Sequence, residues 1–375
     1  MNSLKVLMVT SEFPPRIGGV ATHVAELAAT LRALGVTVEV LAPATPAPTR
    51  PEEGVIRYSP WFRGQPLADW LLARTLHALQ RKRRYDLVHV HGLRPLQAAR
   101  ATGVPVIFTN HTSGFLKTVA AGGHRLARLG RRLGHCDYLL APSEELVTAA
   151  RHAGYAGPAR YIPNGVDANR FSPGEASAER AAWQLPADAV AVVIARRLAP
   201  KNGVLDAARA LAGTPANVYF IFAGDGSERP AMEQILALQG VAQRARFLGA
   251  VPNSNMVEIY RAADFCLLPS HMEATSIAGL EAMACGKALV GTRVGGIPAL
   301  IAEGLNGLLV PPHAPDAIAA AVARLAEDDD AIRRMGLAAR ARVVADFAWP
   351  RIAGETLEVY RALIAEKAAA GASGN

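Results

Sequence analysis

Cysteine is scarce in this chain: three residues among 375, Cys136, Cys266 and Cys285. They show no metal-ligand or redox spacing, and Cys266 and Cys285 lie inside apolar runs. A disulfide framework is thereby excluded, and the thiols read as reduced core groups of a cytosolic protein. Aromatic residues make up only 6%, and no nucleic-acid-binding module can be traced, so no nucleic-acid partner is expected. No apolar run reaches the ~18 residues that a membrane span needs. The first strand, Lys5–Thr10, follows without the charged-then-apolar pattern of an export signal. Acidic residues are also short, 32 against 40 Lys and Arg, which leaves a net charge of +8. Such a balance suits an anionic partner, either a phosphorylated substrate or an anionic lipid surface.

What is present is a long, apolar-rich chain, 51% hydrophobic and 19% charged, enough for two domains with full cores. It alternates short apolar strands with helical periodicity. Lys5–Thr10 is followed by a turn-rich loop, Ser11–Val20, and a helix over Ala21–Leu34. Gly18 and Gly19 let the backbone approach a ligand at that helix start. Further strands are read at Val36–Ala42, Gly54–Tyr58, Asp86–His91 and Val104–Thr109, with a proline-rich loop over 43–51. His91 and His111 stand at strand exits, where open α/β sheets place their ligands. An imidazole there can bond a sugar hydroxyl or an acceptor. Phe115–Leu133 reads as one basic amphipathic helix carrying Lys117, Arg125, Arg128, Arg131 and Arg132, suited to an anionic membrane surface. Asn164 and Gly165 are assigned to a turn.

The second half opens on the strand Val190–Ala195 and the basic exit Arg196-Arg197-Leu198-Ala199-Pro200-Lys201. Guanidinium and ammonium groups at a strand exit suit a leaving diphosphate. Val218–Ala223 runs into Gly224-Asp225-Gly226, a glycine turn before a helix over Arg229–Leu238. The stretch Ser270–Glu281 then follows the buried strand Phe265–Pro269. Glu273 falls in its strand-to-helix turn and Glu281 inside the helix. The first helical N–H groups, from about Thr275 through Ser276 to Ile277, have no acceptor within the helix and are expected to attract phosphate. Gly304–Gly307 reads as a turn-rich hairpin. Asp328-Asp329-Asp330 contains the D-x-D pattern of some metal-dependent transferases, but it lies between two helices and reads as an N-cap. A last helix is read over Ile352–Lys367, with a frayed tail beyond it.

Glu273 and Glu281, with seven residues between them, together with Ala282–Pro298, resemble the paired-glutamate signature of retaining glycosyltransferases of the family-4 type. The resemblance spans most of the chain and is strongest in the second half. It implies an α/β fold of the GT-B kind, two Rossmann-like parallel-sheet domains facing a central cleft. Residues 1–165 would form an acceptor-side domain, with the helix 352–367 crossing back to it. Residues 166–350 would form a donor-binding domain. The activity implied is retaining transfer of a hexose-type sugar from a nucleotide-diphosphate sugar to an acceptor, either a lipid-linked or cell-envelope glycan or a small soluble molecule. No cofactor and no metal are implied.

The same resemblance implies roles for particular residues. Glu273 orients the donor sugar and Glu281 the ribose. Gly18 and Gly19 border the donor phosphate, Gly224, Asp225 and Gly226 face the donor, and the main chain around Phe247 contacts the base. His111 lines the active centre. The family has an arginine followed five places later by a lysine. Arg196 and Lys201 keep that spacing, whereas aligning on Pro200 and Gly203 selects Arg197 and leaves Asn202 at the lysine place. The localisation implied is cytoplasmic or peripheral at the inner membrane face. A nucleotide-sugar epimerase on the same scaffold and a non-catalytic binding module are the competing readings.

Overall fold

The computed structural model describes residues 3–16, 18–44, 53–58, 67–111 and 114–372. The proline-rich loop expected over 43–51 lies almost wholly outside them, as do Thr112 and Ser113 beside His111. The chain divides into two compact units: one made of Met1–Gly165 with Trp349–Asn375, the other of Val166–Ala348.

Unit 1 contains β1 (Lys5–Thr10), β2 (Thr37–Pro43), β3 (Val55–Tyr58), β4 (Leu87–His91), β5 (Val106–Thr109), β6 (Tyr138–Ala141) and β7 (Ala159–Tyr161). They form one sheet in the order β3-β2-β1-β4-β5-β6-β7, with every pairing parallel. Unit 2 contains β8 (Val190–Ala195), β9 (Val218–Ala223), β10 (Ala245–Gly249), β11 (Phe265–Leu268), β12 (Leu289–Thr292) and β13 (Gly307–Val310). Their order is β10-β9-β8-β11-β12-β13, again all parallel. Both units are therefore doubly wound α/β layers of the Rossmann kind. Strands covered on both faces must be apolar throughout, which is why β8 reads Val-Ala-Val-Val-Ile-Ala without a polar break. Ala191 and Val193 enter the core on one face, and Val192 and Ile194 enter the core on the other. Strand order reverses between β1 and β4 in unit 1 and between β8 and β11 in unit 2. The crevice at the carboxyl ends of such strands is where open α/β sheets bind ligands.

The last helix, Trp349–Ala372, starts three residues earlier than its periodicity suggested and runs into the segment read as a frayed tail. It buries Trp349, Ile352, Leu357, Tyr360 and Leu363 in the core of unit 1, beside Val24, Leu27 and Leu31 of the helix Gly19–Ala33. Gly165 belongs to this contact and not to a free turn. A Cβ there would lie 2.5 Å from the Trp349 indole. Asn164 likewise does more than turn the chain, since its Oδ1 meets Nδ1 of His23 at 2.9 Å.

Two further expectations are corrected. The segment Phe115–Leu133 is two helices, Gly114–Ala121 and Gly123–Leu133. Gly122 and Gly123 both adopt positive φ, 60° and 56°, which a continuous helix cannot accommodate. Leu129 and Leu133 are buried in unit 1, while Arg125, Arg128 and Arg131 are exposed. Gly304–Gly307 is no hairpin: the turn delivers the chain into β13, which runs parallel to β12 at the sheet edge. Asp328 caps the helix Asp329–Asp346 by accepting the Ala331 N–H at 2.7 Å, and Asp330 pairs with Arg333. All three cysteines are buried and unpaired.

Candidate active site

In unit 2 the exits of β8 and β11 lie side by side at the point of strand reversal. Arg196, the first residue beyond β8, turns its guanidinium inward. Nη2 donates to Ser270 Oγ and to Glu273 Oε2, and Nη1 donates to Ser276 Oγ at 3.4 Å. The pair is well covered, with the Arg196 side chain 10% exposed and that of Glu273 18%. A charge pair so enclosed needs its remaining hydrogen bonds filled. Arg196 Nε is buried and has no acceptor.

Arg197, by contrast, is exposed. Its carbonyl accepts from Nδ2 of the buried Asn202 at 2.7 Å, so Asn202 shapes the loop. Lys201 is exposed, and its ammonium has no partner among the described residues. The Lys201 carbonyl accepts the N–H groups of His271, at 2.9 Å, and Met272, at 3.2 Å. That strap holds the two strand exits together. It is possible because residue 203 is glycine: a Cβ there would sit 1.8 Å from the Pro269 carbonyl oxygen.

The Gly224-Asp225-Gly226 turn packs directly on the arginine loop. Gly224 and Gly226 have φ of +153° and +159°, and a Cβ on each would lie 1.9 Å from Arg196 O and 2.3 Å from Leu198 O. Arg196 N donates to Ala223 O and Leu198 N to Asp225 O. The Asp225 carboxylate accepts its neighbour Gly226 N–H at 2.8 Å. The turn thus fixes where Arg196 leaves the sheet. Phe247 on β10 stacks against Phe222 at 5.0 Å, with the Arg229 guanidinium 5.2 Å from its ring centre.

The helix after Glu273 begins later than expected. It spans Ile277–Ala284, and Ser276 is its cap, accepting Gly279 N–H at 3.1 Å. Thr275 and Ser276 therefore precede the helix, and the Gly279 donor is already filled. The N–H groups of Ile277 and Ala278 remain in the first turn. Glu281 is buried inside the unit. Its Oε1 accepts from Asn253 Nδ2 at 2.9 Å and its Oε2 from the Tyr260 hydroxyl at 3.1 Å. Burial, and then the neighbouring Glu281, hold the Tyr260 phenol protonated.

In unit 1 the equivalent reversal point gathers imidazoles. His91 ends β4, His111 follows β5, and His91 Nδ1 lies 2.9 Å from His111 Nε2. His23, on the helix Gly19–Ala33, packs 4.4 Å from His111 and 5.2 Å from Trp349 between ring centres. Behind them His89 is held between the Tyr360 hydroxyl and Thr109 Oγ1, both at 2.6 Å. Burial pushes His23 down to about 4 and His89 to about 3, and it carries His91 and His111 well below the ordinary histidine value. All four are neutral near pH 7. His91 Nε2 is buried without a partner. Gly18 caps the helix Gly19–Ala33 with no side-chain bond to its first N–H groups. Reading the sequence missed His23, although its spacing from Leu27 places it on the buried helix face.

The Glycosyltransferase Family 4 profile matches residues 17–170, and the Glycosyl transferases group 1 profile matches residues 175–342. The chain is 31% identical to a D-inositol 3-phosphate glycosyltransferase of Saccharomonospora viridis, covering 93% of this chain and 90% of that one. It belongs to these glycosyltransferases. The glycosyltransferase is also 31% identical to an alpha-maltose-1-phosphate synthase of Mycolicibacterium smegmatis, over 96% of this chain and 99% of that one. Among solved structures, the sucrose-phosphate synthase of Thermosynechococcus elongatus superposes with a TM-score of 0.82 at 25% identity, covering 97% and 100% of the two chains. Anabaena HepE, solved in complex with UDP-glucose, superposes with 0.79 at 22% identity, covering 96% and 100%. The two parallel-sheet units are those of the GT-B fold. No helix among the described residues of the glycosyltransferase is long and apolar enough to cross a membrane.

Proposed function

We propose that the glycosyltransferase moves a hexose from a nucleotide-diphosphate sugar to a hydroxyl acceptor, with retention at the anomeric carbon. The observation that carries this reading is the enclosed Arg196 guanidinium at the β8 exit. It is bonded to Glu273 and Ser276 at the foot of the Ile277–Ala284 helix, and its Nε N–H is unfilled. A phosphate oxygen supplies the missing acceptor. With the Lys201 ammonium and the Ile277 and Ala278 amides, the Arg196 guanidinium would neutralise charge as the sugar–phosphate bond breaks. Preorganised electrostatics of this kind is usually the largest catalytic term. Glu273 then orients sugar hydroxyls, and Glu281, held by Asn253 and Tyr260, faces the ribose. Within unit 2 the Gly224–Gly226 turn borders the diphosphate, and Phe247 lies by the base. In unit 1, neutral His111 and His91 hydrogen-bond hydroxyls. Retention in this reading requires no covalent nucleophile: attack comes on the face the phosphate leaves, and that phosphate takes the acceptor proton.

For the acceptor, a sugar or polyol phosphate is favoured by the names of three of these similar proteins, which contain one. A lipid-linked envelope glycan at the inner membrane face is the second reading. It is motivated by the exposed Arg125, Arg128 and Arg131 on the helix Gly123–Leu133. Sedimentation with anionic vesicles at low salt distinguishes the two.

The test of the reaction is product analysis with a panel of nucleotide sugars, with and without acceptors. Arg196→Lys and Glu273→Gln are each expected to lower kcat by about 10²–10³ with folding intact. Conversion of the donor sugar to its epimer without any acceptor would overturn the proposal.

A further inference from the structure

A second cluster in unit 2 is used by none of these roles. Asp206 is on the helix Val204–Ala210, His271 in the loop after β11, and His313 beyond β13. His271 Nε2 lies 2.6 Å from Asp206 Oδ2, and the His271 and His313 rings are 3.7 Å apart between centres. One ligand atom from each of the three lies within 4.8 Å of the others.

The surroundings fix these groups in place. Asp206 is buried, and its other oxygen accepts from Arg209 Nη1 at 3.1 Å, which sets the carboxylate's orientation. The His271 main chain is held by the Lys201 carbonyl, and its ring edge approaches Gly203 so closely that a Cβ there would be 3.1 Å from Cδ2. His313 has φ of +58°, one of three non-glycine residues with positive φ among those described. A histidine held in the left-handed region is strained, and strain of this sort gathers at binding sites. Glycine would fill the position without cost. The imidazole is therefore what distinguishes it.

We propose that Asp206, His271 and His313 bind one divalent transition-metal ion of the zinc type. Two imidazole nitrogens and one carboxylate oxygen suit zinc, cobalt or nickel, whereas magnesium and calcium prefer oxygen throughout. Three protein ligands leave a coordination position for water or an anionic oxygen. Arg209 acts as a positioning residue on the carboxylate. The ion would tie the Val204–Ala210 helix and the β13 exit to the loop that holds Ser270 and Glu273. In the other histidine group, His23, His91 and His111, His91 Nδ1 and His111 Nε2 are turned on each other at 2.9 Å, and His23 Nδ1 is held by Asn164. That group serves as the control.

The experiment strips the purified full chain of metal, then titrates Zn²⁺ by calorimetry and Co²⁺ by visible absorption. One equivalent is expected, with the Co²⁺ bands of a nitrogen–oxygen site. Asp206→Asn and His313→Gly should each weaken binding at least about tenfold, Arg209→Ala by about tenfold, and His23→Gln not at all. His313→Gly keeps the left-handed backbone, so its loss of binding is not a folding defect. Absence of saturable binding, unchanged binding in His313→Gly, or loss confined to His23→Gln would each overturn the assignment.

Discussion

Acid should loosen unit 1 long before it touches the sheet of unit 2. A free imidazole titrates near 6.5, whereas His23 and His89 in the folded chain do so at about 4 and about 3, because burial disfavours the charged ring. Between those values the unfolded chain binds more protons than the folded one. Stability is therefore complete above pH 6.5 and falls as pH drops toward the folded values. At pH 4.5, roughly two units below the unfolded value, each neutral imidazole costs the folded state about 2–3 kcal/mol at 1.36 kcal/mol per unit. His91 and His111 add in the same direction. A domain has about 5–15 kcal/mol in all, so the His23 and His89 contributions alone are a large share. Amide hydrogen exchange at pH 7 and 4.5, corrected for intrinsic rate, reads each sheet separately. Protection in β4 and β5 should fall steeply, while that in β8 and β9 changes little. His23→Gln should remove about 2–3 kcal/mol of the pH-dependent loss. Parallel loss in β4 and β8, or an unchanged pH profile in His23→Gln, would refute the reasoning.

Other outcomes follow from single contacts. Gly224→Ala places a methyl 1.9 Å from the Arg196 carbonyl. Displacing that loop by about 1 Å should reduce turnover up to about 10²-fold, with the donor KM as a second readout. Gly165→Ala drives a methyl into the Trp349 indole and should destabilise unit 1 by about 1–3 kcal/mol, measured by urea unfolding. Glu281→Gln turns an acceptor into a partial donor facing Asn253 and Tyr260. It should raise the donor Kd about tenfold, equivalent to about 1.4 kcal/mol, by calorimetry with the nucleoside diphosphate.

The strands were the most legible part of the sequence. β8 and β9 are unbroken apolar runs between turn residues, so their ends could be placed from the pattern alone. The long basic segment Phe115–Leu133 misled because leucine spacing persists across Gly122-Gly123, where the backbone cannot stay helical. The choice between Arg196 and Arg197 was beyond pattern reading. Neighbours at a strand exit face opposite ways, and only the packing of Gly224 and Asn202 decides which guanidinium turns in. Glu281 could be placed on a helix, but the Asn253 and Tyr260 donors that enclose it come from another helix and the turn before it. Asp206, His271 and His313 share no spacing motif. Only the meeting of the Val204–Ala210 helix with the exits of β11 and β13 brings them together.

The division of the chain has a consequence for its synthesis. Unit 1 starts first and ends last, because its core awaits Ile352, Leu357, Tyr360 and Leu363 from the final helix. Val166–Ala348 is contiguous and can close as soon as it leaves the ribosome. At about 5–20 residues per second, the nascent β1–β7 sheet waits roughly 10–40 s with an apolar face bare, open to chaperones. A chain ended after Ala348 and released from the ribosome would thus display β8–β13 resistant to protease and β1–β7 still open to cutting.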